Sequence, residues 1–248
     1  MKDRIRLLPR LALAAVALTI VTGVIGPLVM LASLVSSALA YRLECWWAWL
    51  VSKSMGLSFS LHGKEKIVPG ASYIITPNHQ SNSDILALVT MLPTPFRWVI
   101  KKELTRIPVF GWALSATGAI AIDRSDPKQA IQSLQNATDK LKGSWSVLIY
   151  PEGTRTSDGK LQPFKKGAFM MAVQTGIPIL PVTSNGAFKV LPKKTIWFRS
   201  GHITVTIGNS IATVGLTEKD VPELMEKTRA EINKNLDPDY NPFRKALI

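Results

Sequence analysis

A chain of 248 residues is long enough for a full domain and an appendage, and its single cysteine, Cys45, excludes an internal disulfide framework and any cysteine-based zinc cluster. With 30 Lys and Arg against 17 Asp and Glu, the net charge is +13, which points to an anionic partner: nucleic acid, a lipid surface or a phosphate-bearing substrate. Charge alone does not choose among these.

From Leu11 to Ala40 no residue is charged, and Lys2, Arg4, Arg6 and Arg10 precede the run. Such a stretch reads as a membrane segment. As one straight helix it is roughly 45 Å long, against a hydrocarbon core of about 30 Å. Gly23, Gly26 and Pro27 near its middle predict a hairpin bend, because proline removes a backbone donor and clashes with the preceding turn. The two resulting arms, near 18 Å each, dip into the core without spanning it. A secretory signal peptide cleaved after Ala38-Leu39-Ala40 is the competing reading, but the apolar run is about twice the usual maximum for one. Arg42, Lys53, Lys64 and Lys66 make the second flank basic as well, so charge does not set the flanks on opposite sides. Trp46, Trp47 and Trp49 suit either the headgroup zone or packing against a domain. Residues 1–56 are expected to form a helical membrane anchor that enters and leaves by one face.

Residues 57–248 read as one α/β domain, a mostly parallel central sheet flanked by helices. The candidate strands are 72–76, 96–100, 118–122, 146–150, 177–182 and 203–207. A helix is expected from Asp126 to Gly143, with Pro127 in its first turn and Ala130, Ile131, Leu134, Ala137 and Leu141 at helical spacing. A second begins at Thr217 to Asp220, which has the capping-box form.

Three polar clusters follow candidate strands: Asn78-His79-Gln80-Ser81-Asn82-Ser83-Asp84, Asp123-Arg124 and Pro151-Glu152-Gly153-Thr154-Arg155. Ligands of open α/β sheets bind beyond the carboxyl ends of strands, so these clusters are expected to meet at one edge. Of the three histidines, His79 alone sits beside a carboxylate in such a segment, which makes it the candidate general base. On a regular helix Asp84, five positions on, would point about 140° away. The two meet only if His79 lies in the turn before the helix, and from spacing alone Asp84 is equally a helix cap. Ser81 and Ser83 lack a Gly-x-Ser-x-Gly elbow, so a covalent acyl-enzyme is not expected. Arg155 offers a planar fork to a phosphate, or a surface salt bridge to Glu152; Arg124 reads as phosphate ligand or sheet-end charge.

Together with Gly118-Ala-Ile-Ala-Ile-Asp-Arg124, Tyr150-Pro-Glu-Gly-Thr-Arg155 and Ile177-Pro-Ile-Leu-Pro-Val182, the His79 segment resembles the four ordered motifs of the glycerolipid acyltransferases, in particular the bacterial 1-acylglycerol-3-phosphate type. The likeness covers roughly residues 70 to 190, with Tyr150 in place of the commoner phenylalanine. It implies that His79, supported by Asp84, deprotonates the 2-hydroxyl of lysophosphatidic acid for attack on acyl-CoA or an acyl-acyl carrier protein. It also implies that Arg124, Glu152, Gly153, Thr154 and Arg155 bind the glycerol phosphate, without cofactor or metal. Membrane lipids rather than nucleic acid are then the partners, at the cytoplasmic face of a bacterial inner membrane. Acylation of another lysolipid, such as an ornithine lipid, and a non-catalytic anionic-lipid or nucleic-acid binder are the alternatives.

Overall fold

The structure, a computed structural model, describes residues 2–123, 133 and 145–239. Arg124 and most of the helix expected between Asp126 and Gly143 lie outside the described residues.

The chain opens with two antiparallel helices, α1 (Lys2–Ser33) and α2 (Ser37–Ser54). α1 runs without interruption through Gly23, Gly26 and Pro27, so the expected bend there does not occur. An unbroken helix keeps its backbone bonds within the segment, whereas a bend would leave several polar groups bare among apolar side chains. The reversal comes at Leu34–Ser36 instead. Val35 and Ser36 donate to the carbonyl of Ala32, and the Ser36 hydroxyl accepts from Leu39 N–H at 3.3 Å, capping α2. The two short arms expected are not formed; α1 and α2 instead make a hairpin of unequal arms, with Arg10 Nη1 donating to Ser200 Oγ at 2.9 Å beside the end of α2 at Gly56. Trp47 Nε1 ties the helices together by donating to Thr22 Oγ1 at 2.9 Å, while Trp46 and Trp49 are exposed. Leu8–Ser33 is long and apolar enough to cross a membrane.

The rest is a seven-stranded sheet: β1 (Leu57–His62), β2 (Ile74–Pro77), β3 (Phe96–Lys101), β4 (Ile120–Ile122), β5 (Ser146–Leu148), β6 (Ile179–Asn185) and β7 (Gly201–Ile207), in the order β1-β7-β6-β2-β5-β3-β4. Every neighbouring pair is parallel except β6 with β7. β1 is a strand the sequence reading omitted, although Leu57-Ser-Phe-Ser-Leu61 alternates apolar and polar at the period of a half-buried strand. β2 sits centrally and is buried throughout, as a parallel strand covered on both faces should be.

The helices are α3 (Ser83–Met91), α4 (Phe110–Ala116), α5 (Gly167–Thr175), α6 (Ala187–Val190) and α7 (Val221–Asn235). α2 and α3 cover one face of the sheet, with Ala48, Val51, Leu86 and Leu88 against Ile75, Leu148 and Leu180. On the other face α5 and α7 bring Phe169, Met171 and Leu224 against Ile74, Val147 and Ile179. The Thr217–Asp220 capping box forms ahead of α7. α4 packs on α1 at Gly26, where an added Cβ would lie 2.5 Å from Val109 Cγ1, so only glycine admits the contact.

Candidate active site

Because β2, β3, β4, β5 and β6 run the same way, the segments after them gather at one edge of the sheet. Asn78 anchors the first of these. Its side-chain amide clamps the backbone of Ser184 at the end of β6, accepting from Ser184 N–H at 2.7 Å and donating to Ser184 O at 3.0 Å. His79 follows in the turn, and Asp84 is fully buried in the first turn of α3.

Asp84 Oδ2 lies 3.0 Å from His79 Nδ1 and also accepts the backbone N–H groups of Gln80 (2.8 Å) and Ser81 (3.0 Å). Asp84 therefore both caps the turn and meets the His79 ring, two contacts that spacing alone left as alternatives. A single carboxylate oxygen closes the turn and faces the imidazole. An acceptor at Nδ1 fixes the ring proton there and leaves Nε2 as the basic nitrogen. The ring lies on Tyr150, with centroids 3.7 Å apart and planes 16° from parallel.

The second turn grips the first through its backbone. Glu152 Oε1 accepts His79 N–H at 2.6 Å, Glu152 Oε2 accepts Gln162 N–H at 2.8 Å, and His79 O accepts Thr156 N–H at 2.9 Å. Glu152 is only 3% exposed, and burial pushes its carboxyl up to about 8 despite those two amides, with the neighbouring Asp84 adding to the rise. Its carboxylate points inward, so the surface salt bridge to Arg155 weighed in the sequence is absent. Gly153 closes the Tyr150–Gly153 turn at a φ of +69°, a backbone that favours glycine. Thr154 is exposed beyond it, and the Arg155 guanidinium has no carboxylate partner among the described residues.

On the other side, a cavity of about 100 Å³ separates the helical hairpin from β3 and α4. Ile25 and Val29 of α1, Val89 of α3, Ile100 of β3 and Leu114 of α4 line it, and Ile85, next to Asp84, brings it to the turn that carries His79. Its wall is apolar apart from Thr22, Thr117 and Glu44, whose Oε1 accepts Trp98 Nε1–H at 2.6 Å. Trp98 in turn stacks on Tyr150, with centroids 6.5 Å apart. Sequence reasoning passed over Glu44, though the sole carboxylate of α2 is a signal in itself.

A family model described as Acyltransferase matches residues 58–185, from β1 to the end of β6. The chain belongs to the acyltransferase family. It is 35% identical over 201 residues to a Pseudomonas aeruginosa protein named 1-acyl-sn-glycerol-3-phosphate acyltransferase, covering 80% of this chain and 76% of that one. A Saccharomyces cerevisiae member of the same name is 36% identical over 193 residues, 76% of this chain and 63% of its own length. The fold is similar to the crystal structure of the 1-acyl-sn-glycerophosphate (LPA) acyltransferase PlsC from Thermotoga maritima. That match has a TM-score of 0.81 at 25% identity and covers 93% of this chain and 95% of the other. The mostly parallel α/β fold read from the sequence is the fold of this family.

Proposed function

We propose that this acyltransferase moves a fatty acyl group from a thioester donor to the 2-hydroxyl of 1-acyl-sn-glycerol-3-phosphate, giving phosphatidic acid. The observation that carries the reading is His79 Nδ1 held 3.0 Å from the buried Asp84, between a basic turn and an apolar cavity. The names of the Pseudomonas and yeast relatives support the acceptor.

His79 Nε2 takes the proton of the acceptor hydroxyl as its oxygen attacks the thioester carbonyl. The tetrahedral intermediate then collapses, the carbon–sulfur bond breaks, and the imidazolium returns its proton to the departing thiolate. Asp84 stabilises the imidazolium and keeps the tautomer. Arg155 engages the acceptor phosphate with its planar fork, and Thr154 lies beside it. Gly153 and Glu152 act one step back, shaping the turn and holding the backbone of His79. Arg124, next to Asp123 after β4, is assigned to the phosphate on its sequence motif. The apolar cavity beside Ile85 takes part of a fatty acyl chain.

The donor is acyl-CoA or an acyl-acyl carrier protein, both made in the cytosol. Residues 1–56 serve as the membrane anchor and 57–248 as the catalytic domain. A hairpin whose ends both lie by Ser200 and Gly56 supports an anchor on the cytoplasmic face of a bacterial inner membrane, with the site at the lipid surface. Purified protein in mixed micelles should convert lysophosphatidic acid and a long-chain thioester to phosphatidic acid. Failure with both donor types, or equal turnover on lysolipids lacking the phosphate monoester, would count against this acceptor.

A further inference from the structure

Beside the catalytic turn lies a second, open pocket of about 620 Å³, lined by Asn82, Arg155, Lys194, Thr195, Ile196 and Trp197. Asn82 belongs to the turn between His79 and Asp84, and Arg155 ends the second turn. The other four come from the loop between α6 and β7, which leaves the sheet at the same edge and lies beyond residue 185, where the family match ends. None of the six is acidic. Among the described residues neither Arg155 nor Lys194 has a carboxylate partner. Two cations in one pocket repel each other until an anion enters.

The loop is fixed to the site rather than laid over it. Lys193 Nζ donates to Arg155 O at 2.7 Å and to Thr154 Oγ1 at 3.1 Å, bonds that join positions nearly forty residues apart. Arg199 N–H closes the loop on Val190 O at 2.9 Å, and Trp197 N–H turns it on Thr195 Oγ1 at 3.0 Å. Lys194 has a φ of +65°, a conformation that a residue with a side chain rarely adopts and that persists only where its surroundings impose it.

We infer that Lys194 is a further cationic ligand of the substrate phosphate, beside Arg155, and that Lys193 is a positioning residue locking this loop to the Arg155 turn. The inference rests on the acyltransferase reading and extends its phosphate site by a loop outside the four motifs. The ligand chemistry is a phosphate monoester, close to a dianion at neutral pH. Within this pocket Arg155 supplies one positive charge through its planar fork, and a lysine beside it adds another as a point charge. Both the acceptor and the 3′-phosphate of a CoA thioester carry this group. The acceptor's phosphate is on the carbon next to the one bearing the reacting hydroxyl, so it must sit within a few ångströms of His79. A pocket that includes Asn82, three residues from the base, meets that demand, and we assign it to the acceptor.

Lys194→Gly separates the ligand role from a structural one. Glycine adopts the left-handed backbone without strain, so the variant should unfold at the wild-type temperature or above it. Its KM for lysophosphatidic acid should nevertheless rise about tenfold or more, the usual loss for one charged hydrogen bond, with the donor KM unchanged. Lys194→Arg should recover much of the affinity. Lys193→Met should raise the acceptor KM in the wild-type background and add little once Arg155 is alanine, since it acts through that turn. A turnover-independent arm uses glycerol 3-phosphate, which should raise the unfolding temperature of the wild type and not of Lys194→Gly. An unchanged acceptor KM in Lys194→Gly, a rise in the donor KM instead, or an equal thermal shift in both proteins would overturn the assignment. Failure of wild-type turnover on lysophosphatidic acid, with the thermal difference intact, would instead count against the reaction while leaving the phosphate site standing.

Discussion

Glu152 Oε1 accepts the backbone N–H of His79 at 2.6 Å, which joins the two most informative turns of the chain through a buried carboxylate rather than through a substrate. His79 is thus held at three points: its ring against Asp84, its N–H on Glu152 and its carbonyl on Thr156. Glu152→Ala should lower kcat by about a hundredfold, the loss typical of a misplaced catalytic group, with a smaller change in acceptor KM. Steady-state kinetics on a folded preparation separates this from direct phosphate binding, which would move KM first.

The same carboxyl predicts a pH dependence of stability. Its native pKa, about 8, stands above the ordinary glutamate value of 4.5, so the native state binds the proton more tightly than the unfolded chain. The stabilisation is full below pH about 4.5 and is lost as pH rises through about 8. Urea midpoints should therefore fall from pH 5 to 8.5 through this group, and Glu152→Gln should flatten that slope. Glu152→Gln should also be less stable at pH 5, by about 1 to 3 kcal/mol, because its amide meets one of the two backbone donors. An unaltered slope would show that Glu152 is ionised in the native state across the range.

Arg155→Ala should weaken use of the phosphorylated acceptor about ten- to a hundredfold, with donor saturation unchanged, and Arg155→Lys should rescue only part, lacking the planar fork. A change confined to the donor KM would move Arg155 to the thioester site.

The cavity between the hairpin and β3 gives paired predictions. Leu114→Trp fills it and should shorten the longest acyl chain used, whereas Phe110→Ala enlarges it and should extend that limit. Competition among thioesters of graded chain length reads both. Chain-length profiles unmoved in both variants would place the acyl chain elsewhere.

Topology is open to the same kind of test. With Arg10 bonded to Ser200, the start of α1 and the catalytic domain should be on one side of the membrane. Cysteines introduced at Lys2 and at the exposed Ser157, in a Cys45→Ser background, should label from the cytoplasmic side only. Labelling from opposite sides would show a true span.

Much of this site is legible in the sequence because its parts are local. A buried strand ending at Pro77, a seven-residue polar turn and an apolar helix place His79 and Asp84 together once the turn is read as preceding the helix. The dual use of Asp84 Oδ2 was not legible, since cap and orienting partner look like alternatives until the oxygen is seen serving both. The corner of the helical pair is not legible from Pro27: proline is the stronger local signal, yet an apolar setting favours an unbroken helix, and the turn comes at Ser36, which provides the cap. The grips of Glu152 on His79 and of Lys193 on the Arg155 turn were not legible for another reason. Their partners, His79 and the Arg155 turn, are set by strand order rather than by spacing along the chain.

We propose His79, oriented by Asp84, as the base that activates the acceptor hydroxyl. The direct measurement is the single-turnover rate of acyl transfer by His79→Ala, in a preparation shown to be folded and membrane-bound, alongside Asp84→Asn. His79→Ala should lose about 10² to 10⁴-fold, and Asp84→Asn should be comparably impaired through the wrong tautomer. Near-wild-type turnover by His79→Ala would contradict it.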